Sequence, residues 1–285
     1  MMNEKETEQL VTEAVQGSKT ALEEIVRRIQ QPVYSLSLRM LFNPEDAKDI
    51  SQEILITIIT NLQGYRFEGS FRAWVLRIAV NKLRAVRKTR VERKMASIGN
   101  LDGILDRYEA KGWLSKQPDA PEPYLEAETR SVCTHALLLT LDRAHRMAFI
   151  LGVVMEVSSQ EGAQILDITS AAYRKRLSRA RSRIKEFLVN NCGIFDDANR
   201  CRCSRILPTY LQKGWVDPDK PVFIPKHGDG ESNTKLGRYL KEMDELKQIS
   251  AIYNSVQPSE FDFVDVVKSI YQNNQYRILS DPQLT

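Results

Sequence analysis

The chain has 285 residues, of which 42% are hydrophobic and 27% are charged. These values are ordinary for a globular protein, and they exclude a disordered chain, a collagen and a pure coiled coil. The length predicts about two domains. The longest nearly apolar run, Met147 to Met155, is too short to cross a bilayer. The polar N-terminal residues do not resemble a signal peptide, and four cysteines are too few for a disulfide scaffold. We therefore expect a cytoplasmic protein with no membrane span.

The net charge of +4 hides two strongly basic stretches. Phe71 to Lys94 has nine basic residues and one acidic residue, and Ala171 to Lys185 has seven basic residues and no acidic residue. Together they carry +15, so the rest of the chain carries −11. Two separate basic surfaces in an otherwise acidic chain indicate nucleic acid as the first partner to consider.

Apolar residues at helical spacing predict helices from about Glu8 to Arg90, with a break at Gly17-Ser18 and a boundary at Pro32. Asn43 and Pro44 predict the start of a helix that runs to about Leu62, because Asn caps helices and Pro suits their first turn. Residues 63–70 contain two glycines and are expected to form a loop. A further helix is predicted to start near Phe71 and to continue through the first basic stretch.

The helical pattern is lost from Met95 to Glu128, where seven acidic residues, three basic residues and three closely spaced prolines predict an acidic linker. It returns from about Ala127 to Asn190, and one more helix is predicted from Thr234 to Asn254. The expected fold class is all-α, with two helical domains joined by the linker and followed by a C-terminal extension. The predicted boundaries are 8–94, 95–128, 129–190 and 191–285.

The second basic stretch follows a pattern that is typical of a helix-turn-helix. Ser158 and Glu161 fit a capping box, Asp167-Ile168-Thr169 fits a tight turn, and Ser170 can cap the next helix. That helix has one apolar face, and its basic remainder suits the major groove of DNA. The alternative is a solvated basic face. The predicted DNA contacts are Ser170, Arg174, Lys175, Ser178, Arg179 and Arg181.

The first basic stretch places Asn and basic side chains on one helix face, at positions i, i+4, i+7 and i+11. These residues are Arg77, Asn81, Arg84 and Lys88. Tyr65, Arg66 and Phe67 come just before this helix, and aromatic and basic side chains together suit unpaired DNA. We expect Phe71 and Trp74 in the core, whereas Tyr65 and Phe67 fit either the core or base stacking.

Asp46, Asp49 and Glu53 share one face of the predicted helix that starts at Asn43-Pro44. Such a stripe is usually a solvated face, and it also suits docking on a basic partner protein. Neither a histidine nor a second carboxylate cluster accompanies it, so we do not assign it metal or acid–base chemistry.

Three segments, in order, resemble the extracytoplasmic-function group of bacterial RNA polymerase sigma factors. Asp46-Ala47-Lys48-Asp49-Ile50-Ser51-Gln52-Glu53 resembles the segment that binds core polymerase. Phe71-Arg72-Ala73-Trp74-Val75-Leu76-Arg77-Ile78-Ala79-Val80-Asn81 resembles the segment that melts the promoter and reads its minus-ten element. Arg176-Leu177-Ser178-Arg179-Ala180-Arg181 resembles the end of the minus-thirty-five recognition helix.

The resemblance implies a non-enzymatic function in promoter recognition, melting and transcription initiation. It implies core RNA polymerase and promoter DNA as partners, and an anti-sigma factor as a further one. The implied polymerase contacts are Asp46, Asp49, Gln52 and Glu53. The loop of residues 63–70 would hold a flipped minus-ten base, Asn81 and its basic neighbours would hold the melted strand, and residues 170–181 would read the minus-thirty-five element. Lys48, Ala85, Gly162 and Asp167 depart from the family pattern.

Residues 191–285 extend beyond what compact members of that group contain. Cys192, Cys201 and Cys203 resemble the cysteine-containing extension of some members. Three interpretations stay open: ordinary reduced thiols, a redox-responsive cluster, or a zinc site with His227 or Cys133 as fourth ligand. No metal or cofactor is assigned. The extension would regulate the factor, either by masking a DNA-binding surface or by docking on polymerase.

Two rival functions make different use of these patterns. A stand-alone helix-turn-helix regulator explains residues 171–185 but leaves the first basic helix and the acidic stripe without a function. A zinc enzyme built on the cysteines lacks a nucleophile–base pair and a glycine-rich phosphate loop.

Overall fold

The computed structural model describes residues 4–89, 92–93, 102–114, 123–224, 245–254 and 262–272. Within these ranges the chain is all-α, as predicted, and its only β-type pairing is a bridge between Cys192 and Cys201. The helices are α1 Glu4–Val15, α2 Lys19–Leu41, α3 Pro44–Thr60, α4 Phe71–Ala85, α5 Asp102–Ala110, α6 Pro123–Leu138, α7 Arg143–Phe149, α8 Ser159–Leu166, α9 Ser170–Asn191, α10 Cys203–Gln212, α11 Glu245–Asn254 and α12 Val264–Gln272.

Caps that the sequence predicts set the ends of the first helices. Gly17 has a positive φ of 97°, and the Ser18 side chain accepts a hydrogen bond from the Ala21 N–H at the start of α2. The Asn43 side chain accepts from the N–H groups of Glu45 and Asp46 at the start of α3. The predicted break and the predicted helix start are both confirmed.

The boundary predicted at Pro32 is wrong, because α2 runs through this residue. Proline inside a helix costs about 3 kcal/mol relative to alanine. Ile25, Ile29, Val33 and Leu36 are all buried and lie on both sides of the proline, where α2 packs chiefly against α3 and α1. Burial of this continuous apolar face outweighs the cost of the proline.

Helix α4 is shorter than predicted. The Ser70 side chain accepts from the Ala73 N–H and begins the helix before Phe71, but the helix ends at Ala85. Val86 follows in an extended conformation, so the later basic residues do not continue the helical register.

The predicted linker contains helical structure that its composition did not indicate. Helix α5 lies inside it, and α6 begins at Pro123, so that Glu128 is a buried helical residue. The periodicity predicted from Ala127 to Asn190 corresponds to α6, α7, a π-helical turn at Ile150–Val154, α8 and α9. The domain boundaries themselves stay predictions.

The contacts divide the chain into two compact units. The first contains the described residues of 1–87, 160–170 and 260–285, and the second contains those of 88–159 and 171–259. In the first, α2, α3 and α4 pack against one another, and the Phe263 N–H before α12 donates to the Gln30 side chain over 2.8 Å. In the second, a Cβ at Gly152 would lie 2.6 Å from Cδ2 of Leu177, so a larger residue there would displace this buried side chain of α9.

The C-terminal extension contributes to the core of the second unit. The Glu128 carboxylate accepts hydrogen bonds of 2.8 to 3.3 Å from the backbone N–H groups of Val222, Phe223 and Ile224. Burial raises the pKa of Glu128 by more than these donors lower it. The hydroxyl of Tyr253 on α11 donates to the Thr134 carbonyl over 3.0 Å.

Two helices of the extension, α10 and α12, have no counterpart in the sequence prediction. Helix α11 begins at Glu245 in the structure, whereas the prediction began at Thr234; residues 234–244 lie outside the described residues. In the part of the chain that is described, we find no helix of the length and apolarity needed to cross a membrane.

A buried ion-pair network in the second unit joins Glu92 to α7. The Glu92 carboxylate accepts from Arg143 Nε over 2.7 Å and from Arg146 Nη1 over 3.1 Å, and the side chains of Glu92 and Arg146 are almost fully buried. Arg146 also donates to the Leu138 carbonyl over 2.9 Å. Two buried opposite charges thus share one site.

We predict that Glu92→Ala lowers the free energy of unfolding by about 3 kcal/mol, because it leaves the buried Arg146 charge without its carboxylate. Urea unfolding followed by helical circular dichroism measures the change. Glu45→Ala is the control, since Glu45 pairs with Lys48 at an exposed site, where we expect less than about 1 kcal/mol. Equal losses in the two variants would contradict the prediction.

The same network predicts a pH dependence. Burial alone raises the pKa of Glu92, but its hydrogen bond with Arg143 and the charges of Arg146 and Arg143 outweigh burial and hold the pKa below its usual 4.5. The unfolded chain therefore binds this proton more tightly, so the stabilisation is present above about pH 4.5 and is lost as the pH falls through the lowered pKa. We expect the difference in unfolding free energy between the native chain and Glu92→Gln to shrink on acidification; a constant difference would contradict this.

Candidate nucleic-acid interface

Helix α4 buries one face and exposes a basic one. Val75, Leu76, Ala79 and Leu83 are buried on its inner side. Three of the four side chains predicted to share one face are exposed on the helix, namely Arg77, Asn81 and Arg84. Lys88 is also exposed, but it lies three residues beyond the end of α4, so its predicted position at i+11 of that face is wrong.

The loop before α4 separates its two aromatic residues. Tyr65 is buried and its hydroxyl donates to the Gly69 carbonyl over 2.6 Å, whereas Phe67 is 48% exposed and has a positive φ of 57°. The Tyr65 ring centroid lies 4.7 Å from that of Phe67, 5.2 Å from that of Phe71 and 5.6 Å from that of Trp74. Tyr65 is therefore a core residue that supports an exposed ring, Phe67, which is free to stack.

A groove of about 340 Å³ lies beside this loop. Arg66, which is exposed, and Arg77 line it on the side of the loop and α4, together with the half-buried Trp74. Gln164 and Ile165 of α8 line it from another side. The groove therefore combines a base-sized space with cationic and aromatic groups, which suits an unpaired nucleotide.

Helix α9 has the amphipathic pattern that the sequence predicts. Tyr173, Leu177, Ala180 and Ile184 are buried on its inner face. The predicted DNA contacts on α9 that are exposed are Arg174, Lys175, Ser178 and Arg179. Ser170 is half-buried at the first position of the helix, and Arg181 is half-buried and donates from Nη2 to the Gly152 carbonyl over 3.2 Å.

The turn before α9 forms without the glycine that is common there. Asp167 adopts a positive φ of 55°, which is the left-handed conformation that Asp tolerates better than most side chains. Helix α8 begins at Ser159, directly after the predicted cap Ser158. The order of helix, tight turn and helix in the prediction is therefore confirmed.

The acidic face of α3 is exposed in the part of the chain that the structure describes. Asp46, Asp49, Gln52 and Glu53 are all exposed. The opposite face of α3 is buried, and it consists of Ala47, Ile50, Ile54 and Ile58 among others.

The four cysteines line one cavity of about 30 Å³ in the second unit. One comes from α6, two form the β-bridge, and one begins α10. All four are free thiols, namely Cys133, Cys192, Cys201 and Cys203. Burial, more than any other cause, raises the pKa of each. No three cysteine, histidine or acidic side chains of the described ranges stand close enough to hold a metal ion, and His227 lies outside those ranges.

Sequence reasoning missed the part that α8 plays at the groove. Ser70 Oγ donates to Glu161 Oε1 over 2.7 Å, and Arg84 Nη2 donates to the Leu166 carbonyl over 2.8 Å. These partners are 91 and 82 residues apart in the chain. Helical periodicity reports which face of a helix is buried and carries no signal for such distant polar pairs.

Comparisons with known proteins match two separate parts of the chain to one protein family. Residues 25–91 match the family described as Sigma-70 region 2, and residues 131–184 match Sigma-70, region 4. The ECF RNA polymerase sigma-E factor of Escherichia coli K12 is 31% identical over 185 residues, which cover 64% of this chain and 95% of that protein. The RNA polymerase sigma factor YlaC of Bacillus subtilis is 25% identical over 173 residues, which cover 61% of this chain and 95% of that protein.

Among solved structures, that of CnrH in complex with the cytosolic domain of CnrY covers 63% of this chain and 94% of that chain, at 20% identity and a TM-score of 0.42. The family assignment depends on the sequence matches instead. Both sigma-70 regions are present in order, and the Escherichia coli relative is matched along nearly its whole length. The chain therefore belongs to the extracytoplasmic-function family of RNA polymerase sigma factors, which direct promoter-specific transcription.

Proposed function

We propose that this chain acts as a subunit of RNA polymerase that recognises a two-part promoter, helps to melt it and carries out no covalent step itself. The observation that carries the proposal is that two separate helices, α4 and α9, each bury an apolar face and expose a basic one. A regulator that binds duplex DNA needs only one of them. We place the protein in the cytoplasm with the polymerase.

The exposed acidic face of α3 is the proposed contact with core polymerase. It offers Asp46, Asp49, Gln52 and Glu53, and the family resemblance assigns this segment to the polymerase clamp. The buried isoleucines on the opposite face of α3 hold these side chains in place. A carboxylate surface of this kind suits a basic partner.

The loop of residues 63–70 and the exposed face of α4 are the proposed minus-ten site. Phe67 offers an exposed ring for base stacking, Arg77 and Arg84 offer cations for the phosphates, and Asn81 offers donor and acceptor groups for a base edge. Binding energy gained only with unpaired bases favours the melted state of the promoter.

Helix α9 is the proposed minus-thirty-five reader. Its exposed side chains Arg174, Lys175, Ser178 and Arg179 fit base-edge and phosphate contacts in a major groove. The half-buried Arg181 and the terminal Ser170 fit phosphate contacts at the border of the site. Because many contacts involve phosphates, affinity is expected to fall as salt concentration rises.

The remaining parts of the proposal concern organisation. We assign residues 8–94 and 129–190 to the two DNA-binding domains, 95–128 to the acidic linker and 191–285 to the extension. We also propose an anti-sigma factor as a partner, as the family resemblance implies. Zinc is not assigned to the cysteines.

Run-off transcription with bacterial core polymerase on a randomised promoter library tests the proposed function. We expect new transcription starts, downstream of a shared two-part sequence, only when this chain is added. Binding of the chain to duplex DNA with no polymerase-dependent start would contradict the proposal and favour a stand-alone regulator.

We predict that Arg179→Ala lowers run-off from the selected promoter by about tenfold, since loss of a base-edge contact costs about 1–3 kcal/mol. The control is Arg183→Ala, which removes the same charge from an exposed position of the same helix outside the predicted contacts. An equal loss in both variants would show a general charge effect and contradict the assigned role of Arg179.

A further inference from the structure

We propose that the C-terminal extension positions the minus-thirty-five reader, because residues of the extension hold α9 at two places within the second compact unit. The inference rests on the proposed function, since it requires α9 to be that reader. It goes beyond that function by giving residues 191–254 a part in promoter specificity. The contacts that carry it all belong to the second unit.

The first place is the π-helical turn at Ile150–Val154, which contacts both α9 and α11. Nη2 of Arg181 on α9 donates to the Gly152 carbonyl over 3.2 Å. Oγ of Ser250 on α11 donates to the neighbouring Val153 carbonyl, also over 3.2 Å. Two adjacent carbonyls of one short turn therefore join the proposed reader to a helix of the extension.

The end of this turn explains why its carbonyls take side-chain donors. The last carbonyls of a helix have no partner within the helix. The Met155 N–H donates to the Ile150 carbonyl over 2.9 Å, and the Val157 N–H donates to the Leu151 carbonyl over the same distance. The next two carbonyls are those that accept from α9 and α11. Because an unsatisfied buried carbonyl is costly, the turn favours the arrangement in which both helices are in place.

Helix α11 is itself held firmly by Tyr253. The hydroxyl of this buried side chain donates to the Thr134 carbonyl of α6 over 3.0 Å. Its ring packs edge-on against Phe149, the last residue of α7, with 5.1 Å between the ring centroids. Ser250 lies about one helical turn before Tyr253, so the anchored tyrosine also fixes the position of the serine hydroxyl.

The second place is the C-terminal end of α9. Nδ2 of Asn199 in the extension donates to the Val189 carbonyl over 2.8 Å and to the Cys192 carbonyl over 3.0 Å. The Cys201 N–H donates to the carbonyl of Asn191, the last residue of α9, over 3.3 Å. Carbonyls that the end of the helix leaves without partners thus find donors in the extension.

Apolar packing reinforces this second place. Phe187 and Leu188 of α9 are buried, and they line the cavity of the four cysteines together with Ile206 of α10 and Ile252 of α11. Burial of one helix face fixes the rotation of the helix about its axis. Side chains of the extension therefore help to set the direction in which the exposed arginines of α9 point.

This arrangement predicts an effect on specificity. Hydrogen bonds to base edges require a defined donor geometry, whereas contacts with phosphates carry no sequence information. A small displacement of α9 should therefore lower discrimination between minus-thirty-five sequences more than it lowers general affinity for DNA.

A double variant of the full chain, Ser250→Ala with Tyr253→Phe, tests the inference. It removes two hydroxyls and keeps the ring that packs on Phe149. Run-off with core polymerase is measured on the selected promoter and on the same promoter with a scrambled minus-thirty-five element. The readout is the ratio of the two yields, because a loss of folded protein lowers both yields equally. Ser204→Ala is the control, since it removes a hydroxyl of α10 that makes none of the contacts described above.

We expect the ratio to fall at least about fivefold in the double variant and to stay at the native value in the control. A native ratio in the double variant, even with lower yields, would show a purely structural contribution and overturn the inference. If circular dichroism shows that the double variant does not fold, the two single variants decide by the same criterion. Failure of the proposed function has a different signature, because the native chain would then give no starts that depend on a minus-thirty-five element.

A second variant, Asn199→Ala, tests the contact at the end of α9. The control is Asn190→Ala, which removes the same amide from an exposed position of α9. We expect the ratio to fall about twofold in Asn199→Ala only, since the reading side chains lie more than two helical turns from this end. Equal ratios in the two variants would overturn the role of Asn199.

Discussion

Each basic helix of this protein has to bury one face in an apolar core while its opposite face stays in water. Helix α4 satisfies this constraint with Val75, Ala79 and Leu83, and α9 satisfies it with Tyr173, Leu177 and Ile184. Because these apolar positions fix the rotation of each helix about its axis, they also decide which arginines are exposed. The core thereby selects the basic surfaces that we propose to contact nucleic acid, and α3 orients its carboxylates by the same means.

The elements that the sequence predicted best are those that depend on local chemistry. Gly17, Ser18 and Asn43 set helix ends through backbone conformation and side-chain caps, and these interactions reach only a few residues along the chain. The prediction failed where distant packing decides the outcome. Pro32 lies within a helix because buried residues on both sides of it pack on neighbouring helices, and the partner of Glu128 is a backbone segment more than 90 residues away.

In the candidate site, too, the sequence predicted the features set by local spacing and missed those set by distant packing. The exposed faces of α3, α4 and α9 follow from apolar spacing, and most of the side chains predicted there are exposed. Lys88 falls beyond the end of its helix, and Ser170 and Arg181 of α9 are half-buried. The choice between core and surface for Tyr65 and Phe67 depends on how the loop folds back to Gly69. The groove, its wall of α8 residues and the cavity shared by four cysteines depend on tertiary packing, so residue spacing along the chain could not predict them.

The central claim is that this chain and core polymerase together hold promoter DNA in a melted state. Permanganate oxidation of unpaired thymines on a selected promoter measures this directly. The account predicts reactive thymines around the minus-ten element only when both the chain and core polymerase are present. Protection of intact duplex DNA by the chain, with no reactive thymines when polymerase is added, would contradict it.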